Sequence, residues 1–296
     1  MTLDAAWAMP RTSQPSGAKT ARMVHPGPPA AERVQAARTR LVPVAGTLRA
    51  GETVMAGVAR LFAEAGCPGG VVFLDGVTCD PMRYVLPALS RDASHAAWYS
   101  DTYAPEGPVR IECATASVGQ RDGAAFLHCH GIWGAGESRA MGHLLPFDSV
   151  VAQDAPVTGI GARDAWFDSR PDAETNFTLF QISGGQPGTH GLLARIAPGE
   201  DVVTAVEALC ADAGWTEARI HGLGSIDHIL FTDGTRVDCL ATELRFAGAR
   251  VEGGRAHLPI DVVDIDGAIS HGVLARGANP VGVTLELLIE PTKDRT

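Results

Sequence analysis

The sequence predicts an α+β fold: two tandem copies of one unit, each a mostly antiparallel sheet with a helix packed against it. Three observations predict it. One helix-patterned segment occurs twice, a short β run follows each occurrence, and alternating apolar runs dominate elsewhere. The repeat is direct. AGETVMAGVARLFAEAG at 50–66 matches PGEDVVTAVEALCADAG at 198–214, with Gly51 against Gly199 at an offset of 148. From Gly51 to Gly66 half of the positions are identical, more than two unrelated helices share.

Taken in order, residues 1–40 are rich in Ala, Pro, Arg, Gly and Ser and predict a flexible N-terminal arm. The first unit spans 41–160. Its helix places Val54, Val58, Leu61 and Ala65 on one face, with Glu52 near the positive end of the helix dipole and Gly66 at the C′ position. The run GVVFLDG follows as a strand. Next comes VTCDPMRYVLPALSRDASHAAWYSDTYAPEG, which has no full counterpart in the second copy. His130 falls against Asp261 and His143 against His271, so the offset drops from 148 to 131 and the first copy carries 17 extra residues. That segment concentrates Arg83, Tyr84, His95, Trp98, Tyr99 and Tyr103, and is expected to lie over a site the second copy lacks. Residues 161–190 end in SGGQPGT and predict a linker. The second unit, 191–296, repeats the helix with Val202, Val206, Leu209 and Ala213 inward and Gly214 at its end, followed by ARIHGLG.

A chain of 296 residues has room for one large domain or two ordinary ones, and 45% apolar residues suit a buried core. The formal net charge of −10 argues against a protein whose main task is to hold nucleic-acid phosphates. No apolar run approaches the roughly 20 residues of a membrane helix, and the start lacks a secretory signal, so the expected location is the cytoplasm. Six scattered cysteines with no CxxC pair predict reduced, buried thiols.

PGEDVVTAVEALCADAGWTEARIHGLGS and EGPVRIECATASVGQRDGAAFLHCHGIWG…GHLLP resemble the two signature halves of the PPC (plants and prokaryotes conserved) domain. Tandem copies without an AT-hook would cover about 41 to 291. The resemblance implies an α/β fold around an antiparallel sheet and trimeric assembly, hence a homo-oligomer with trimer ahead of dimer. It also implies a metal site at His128, His130 and His143. The second copy departs from that pattern, with Pro259, Asp261 and His271 in the matching places.

Physically, alternation along FLHCH puts His128 and His130 on one strand face and Cys129 on the other. A neighbouring strand can bring His143 to them. Three neutral imidazoles suit a divalent metal, zinc first, and leave a coordination position open for chemistry. The pair alone reads equally as hydrogen-bonded sheet residues; the third histidine and the resemblance turn the reading toward metal. Glu137 is a candidate general base, Arg139 a candidate holder of a substrate carboxylate, and Tyr84, Tyr99 and Arg110 candidate pocket residues. Solvated turn positions and packing aromatics are the plain alternatives. His221 and His228, with Asp261 and His271, leave open a different site in the second copy. The leading expectation is a metal-dependent hydrolase, hydratase or lyase acting on a small polar, carboxylated metabolite. The alternative is a non-enzymatic regulatory or DNA-associated assembly protein, for which the tail arginines Arg11, Arg22, Arg33, Arg38 and Arg40 speak.

Overall fold

Period-two patterning, far more than helical patterning, sets the architecture. The computed structural model describes residues 22–135 and 138–292. Val34–Thr39 (β1) and Leu41–Leu48 (β2) precede the helix Val54–Glu64 (α1), which leads into Gly69–Phe73 (β3). Four short strands follow: Thr78–Cys79 (β4), Tyr84–Val85 (β5), Pro87–Leu89 (β6) and Ala97–Tyr99 (β7). The long strands Val109–Arg121 (β8), Ala124–Ala135 (β9) and Ser138–Leu144 (β10) come next, then Ala155–Ala162 (β11), Ala165–Pro171 (β12) and Thr178–Gly184 (β13). Gly191–Ile196 (β14) opens the second unit before Val202–Ala213 (α2) and Ala218–Ile226 (β15). Ile229–Leu230 (β16), Arg236–Val237 (β17), Glu243–Phe246 (β18), Ala249–Glu252 (β19) and Arg255–His257 (β20) follow. Pro259–Val263 (β21), Ile269–Val273 (β22) and Val281–Pro291 (β23) complete it.

Two large sheets result. The first runs β2-β11-β3-β8-β9-β10-β5 and the second β1-β14-β23-β15-β18-β21-β22. With β5 and β1 set aside, the two orders are the same. Each unit pairs the strand before its helix with its last strand, then the strand after the helix, then a three-strand meander. The pairings are antiparallel apart from β12 against β8.

The expected α+β class is corrected to mainly β. Among the described residues α1 and α2 are the only helices, of 11 and 12 residues. Each covers one face of its sheet, and the opposite faces of the two sheets pack on one another, so strands supply most of each core. The helices bury Val54, Val58, Leu61 and Phe62, and Val202, Val206, Leu209 and Cys210. Thr53 caps α1 by accepting from the Ala56 N–H, and Asp201 caps α2 by accepting from Thr204. Glu52 stands before the cap and pairs with Arg60. Gly66 and Gly214 close the helices at φ 65° and 78°, where a Cβ is strained. Among the described residues no helix is long and apolar enough to cross a membrane.

Two connecting segments are more ordered than their composition predicts. Within the expected arm, 1–21 lie outside the described residues, yet Val34–Thr39 is an edge strand of the second sheet, paired with β14. The expected linker 161–190 carries β12 and β13, paired from Ala165↔Gly184 to Pro171↔Thr178. Gly- and Pro-rich ends obscure these strands, and tertiary pairing decides them. A cluster of Val71, Ala162, Ala165, Phe167, Phe180, Leu193 and Leu288 joins the two units.

Asp172, just beyond β12, meets Arg195 of β14 at 2.8 Å, and both side chains are buried. Burial raises the Asp172 carboxyl, but the Arg195 charge and the Thr175 N–H and hydroxyl outweigh it and hold the group below its ordinary range. A carboxyl lowered on folding contributes stability that is complete above its unfolded value, near 3.8, and is lost as pH falls through the folded value. Asp172→Asn is therefore expected to cost about 3 kcal/mol at pH 7, since it leaves a buried guanidinium without its countercharge. Urea unfolding at a series of pH values should show the difference from wild type shrinking below about pH 4.

Candidate metal centre

β9 turns alternate side chains to its two faces. Leu127 and Cys129 enter the core under α1, while His128 and His130 face the second sheet. Burial pushes the Cys129 thiol far up, so it stays protonated and away from the site. His143 on β10 stands directly opposite His130 in the antiparallel register. The sheet thus brings the three predicted histidines together. Their ligand atoms lie within 4.8 Å of one another, the one convergent group of three or more such side chains among the described residues.

The second unit fixes how these rings are protonated. His128 Nδ1 lies 2.8 Å from Oε2 of the buried Glu286 on β23, and His130 Nδ1 lies 2.9 Å from the Leu244 carbonyl on β18. A carboxylate and a carbonyl only accept, so each Nδ1 donates and each ring turns its Nε2 toward the other. Those two Nε2 atoms face each other at 3.0 Å. That contact is met either by one proton, with an imidazolium at His128 beside Glu286, or by a cation lying against both nitrogens. A divalent ion bound at roughly 2.0–2.1 Å places its ligand atoms about 3.0–3.4 Å apart, which this pair matches. Burial first, then the neighbouring His128 and His143, lowers His130 well below its ordinary value; burial and His128 do the same to His143. His143 Nδ1 is buried without a hydrogen-bond partner. The donor set fits a divalent metal.

Glu243 of β18 also reaches in. Its Oε1 lies 3.8 Å from both His130 Nε2 and His143 Nδ1, its Oε2 is buried without a partner, and burial raises its carboxyl well above the usual range. A cleft opens beside His128 and His130, walled by Trp98, Tyr99, Phe177, Leu179, Val283 and Thr284. No Lys or Arg stands among its described lining residues. Trp98 and Tyr99 come from the insertion of the first copy, and the Tyr99 ring lies edge-on to His143 at 5.1 Å.

Other candidates fall elsewhere. Tyr84 is 1% exposed and stacks on Tyr103 with its edge toward Trp133, a core position. Arg139 pairs with Glu112 at 2.8 Å on the exposed hairpin, and Glu137 lies outside the described residues. Arg110 does not line the cleft. His221 packs on Phe73 near Glu290, and His228 pairs with Asp227. Four of the tail arginines are engaged by their own chain: Arg22 with the Asp227 carbonyl, Arg33 with Glu174 and Glu200, Arg38 with the Ala213 carbonyl, and Arg40 with Asp164. Arg11 lies outside the described residues. Sequence reasoning misses Glu243, Glu286 and the Leu244 carbonyl. The signal for the carboxylates is present, an acidic residue amid the apolar positions of ATELRF and VTLELLI.

The matching place in the second unit holds a different cation. Arg245 pairs with Asp261 across β18 and β21 as Thr115 pairs with His130 across β8 and β9. Its Nη2 lies 2.6 Å from Asp261 Oδ2 and 2.8 Å from Cys113 Sγ, and His271 Nδ1 lies 2.5 Å from Asp261 Oδ1. A guanidinium thus neutralises Asp261, and Pro259 offers no ligand.

No family model matches the chain, and no curated protein matches it. Solved structures do. A metal-containing protein from Archaeoglobus fulgidus matches at 16% identity and TM-score 0.40, covering 49% of this chain and 97% of its own. A plant- and prokaryote-conserved (PPC) protein from Pyrococcus horikoshii matches at 15% and 0.39, covering 50% and 94%. A protein from Ralstonia eutropha whose name presumes DNA binding matches at 18% and 0.35, covering 47% and 89%. Each spans about half of this chain, and nothing about its metal, ligand or partner follows from likenesses at these values.

Asp261→Asn is expected to lower stability by about 2 kcal/mol, because it weakens a charge-assisted pair around a mostly buried guanidinium. Thermal or urea unfolding reads the loss, and the divalent metal bound per chain should not change.

Proposed function

We propose that this protein is a metal-dependent enzyme in which His128, His130 and His143 hold one divalent ion, with zinc the first candidate. The observation that supports this most is the convergence of the three imidazoles, with ligand atoms within 4.8 Å of one another, the His128 and His130 Nε2 atoms 3.0 Å apart and each Nδ1 of that pair engaged by an acceptor from the second unit. A divalent ion supplies Lewis acidity, polarising a carbonyl or bringing the pKa of water toward 7, which suits hydrolase, hydratase or lyase chemistry. The chain's own residues do the rest. Glu286 and the Leu244 carbonyl orient the rings, and Trp98, Tyr99 and Phe177 wall the cleft and exclude water.

The cleft revises the substrate expected from sequence. Its aromatic and aliphatic walls and lack of Lys or Arg favour a small molecule with an apolar body and one polar reacting group turned toward the histidines. Arg139, the sequence candidate for holding a carboxylate, is paired with Glu112 away from these walls.

Metal analysis of the purified chain tests this reading. Wild type is expected to carry about one divalent ion per chain, and His128→Ala and His130→Ala to carry little or none. Full occupancy in either variant would remove these histidines as ligands.

A further inference from the structure

We propose that Glu243 is a fourth protein ligand to the metal, supplied across the interface by the second unit. The inference rests on the three-histidine reading above and extends it to a residue that the convergence of imidazoles does not include.

Two buried carboxylates from the second unit approach the histidines, and only one is satisfied. Glu286 receives the His128 Nδ1–H at 2.8 Å. Glu243 has a side chain only 7% exposed, and no hydrogen-bond donor of the described chain meets its Oε2. Its Oε1 stands 3.8 Å from His130 Nε2 and 3.8 Å from His143 Nδ1. The first of those nitrogens meets the His128 Nε2 at 3.0 Å, and the second lacks any hydrogen-bond partner. Among the described residues that line the cleft, neither Lys nor Arg stands beside the carboxylate. A carboxyl group buried without a hydrogen-bond partner is disfavoured whether neutral or charged, and buried carboxylates in proteins are paired or bind metals. One cation between Oε1 and the two nitrogens answers the unpaired Glu243 carboxyl and His143 Nδ1, and lies against His130 Nε2 beside His128. Contraction of each 3.8 Å separation by about 0.4 Å gives the ligand spacing of a tetrahedral shell.

Two consequences follow. Three histidines and one carboxylate fill a four-ligand shell, so turnover at this site needs the ion to expand to a fifth ligand, as zinc does in transition states and as Mn²⁺, Fe²⁺, Co²⁺ or Ni²⁺ do readily. The ion also ties β9 and β10 of the first unit to β18 of the second, so its binding stabilises the docking of the two sheets.

Cobalt(II) is the probe, because its visible absorption reports the ligand set independently of activity. Chelator-stripped full-length chain is titrated with Co²⁺ in wild type, Glu243→Gln, Glu286→Gln and His130→Ala. Gln keeps the shape of Glu and removes the unpaired buried charge, and Glu243→Leu is read alongside as a second, ligand-free side chain. Glu243→Gln and Glu243→Leu are expected to weaken Co²⁺ binding on the order of 100-fold and to change the absorption bands. Glu286→Gln, which only orients His128, is expected to weaken binding by about 10–100-fold with the bands unchanged. Wild-type bands in the Glu243 variants, whether or not affinity falls, overturn the proposal. Failure of wild type to bind Co²⁺, or its full retention by His130→Ala, overturns the three-histidine reading instead.

Discussion

Everything about the site depends on one constraint: polar groups on the facing surfaces of two sheets lose water when the sheets pack, and must find partners there. His128 and His130 project from β9 of the first sheet into that seam. Glu286 and the Leu244 carbonyl meet them from the second. The match is local and directional. It gives each Nδ1 an acceptor and turns both Nε2 atoms toward the same point, which an isolated first unit could not enforce. Tertiary packing between the units, more than the spacing of the histidines within their strand, makes a cation-binding geometry out of sheet residues.

The same constraint explains the second unit. Its strands bring Asp261 and His271 to the places of His130 and His143. A carboxylate there also loses water and needs a positive partner, which Arg245 supplies from within the chain. Where the first unit gathers three imidazoles, the second carries a guanidinium of its own. A guanidinium is permanently charged and presents a rigid fork, so this arrangement is complete without any ion. One fold thus meets the same electrostatic requirement in two ways.

The repeated helix, its caps and the strand after it are legible in the sequence because amphipathic period and offset agree over many residues. The pairing of His130 with His143 follows from alternation and a hairpin. The class is legible only in part. Two conspicuous helices suggest α+β, while the many short runs between them are strands that pairing, not composition, establishes, β1 and β12 most plainly. The three histidines announce themselves by type and spacing. Glu243 and Glu286 do not, because a charged residue in an apolar strand has no visible purpose until the opposite sheet is in place. Tyr84 and Tyr99 show the limit from the other side. Both belong to the same aromatic insertion, yet one is a core ring and the other walls the cleft, a difference set by which way each short strand faces.

Carrying both units on one chain also changes what the seam can become. In a symmetric homo-oligomer of single units, every interface repeats, and a substitution that helps one site appears at all of them. Here Thr115 and Arg245 occupy matching positions and serve different ends, Thr115 beside His130 and Arg245 on Asp261. Glu243 can remain an unpaired buried carboxylate facing His130 and His143 without placing a second such charge at the other centre. The insertion, present once, roofs only the histidine side with Trp98 and Tyr99. Duplication thereby separates roles that symmetry would keep identical. One unit presents the imidazoles and the aromatic roof, and the other supplies the orienting acceptors, the extra carboxylate and a self-neutralised copy of the site.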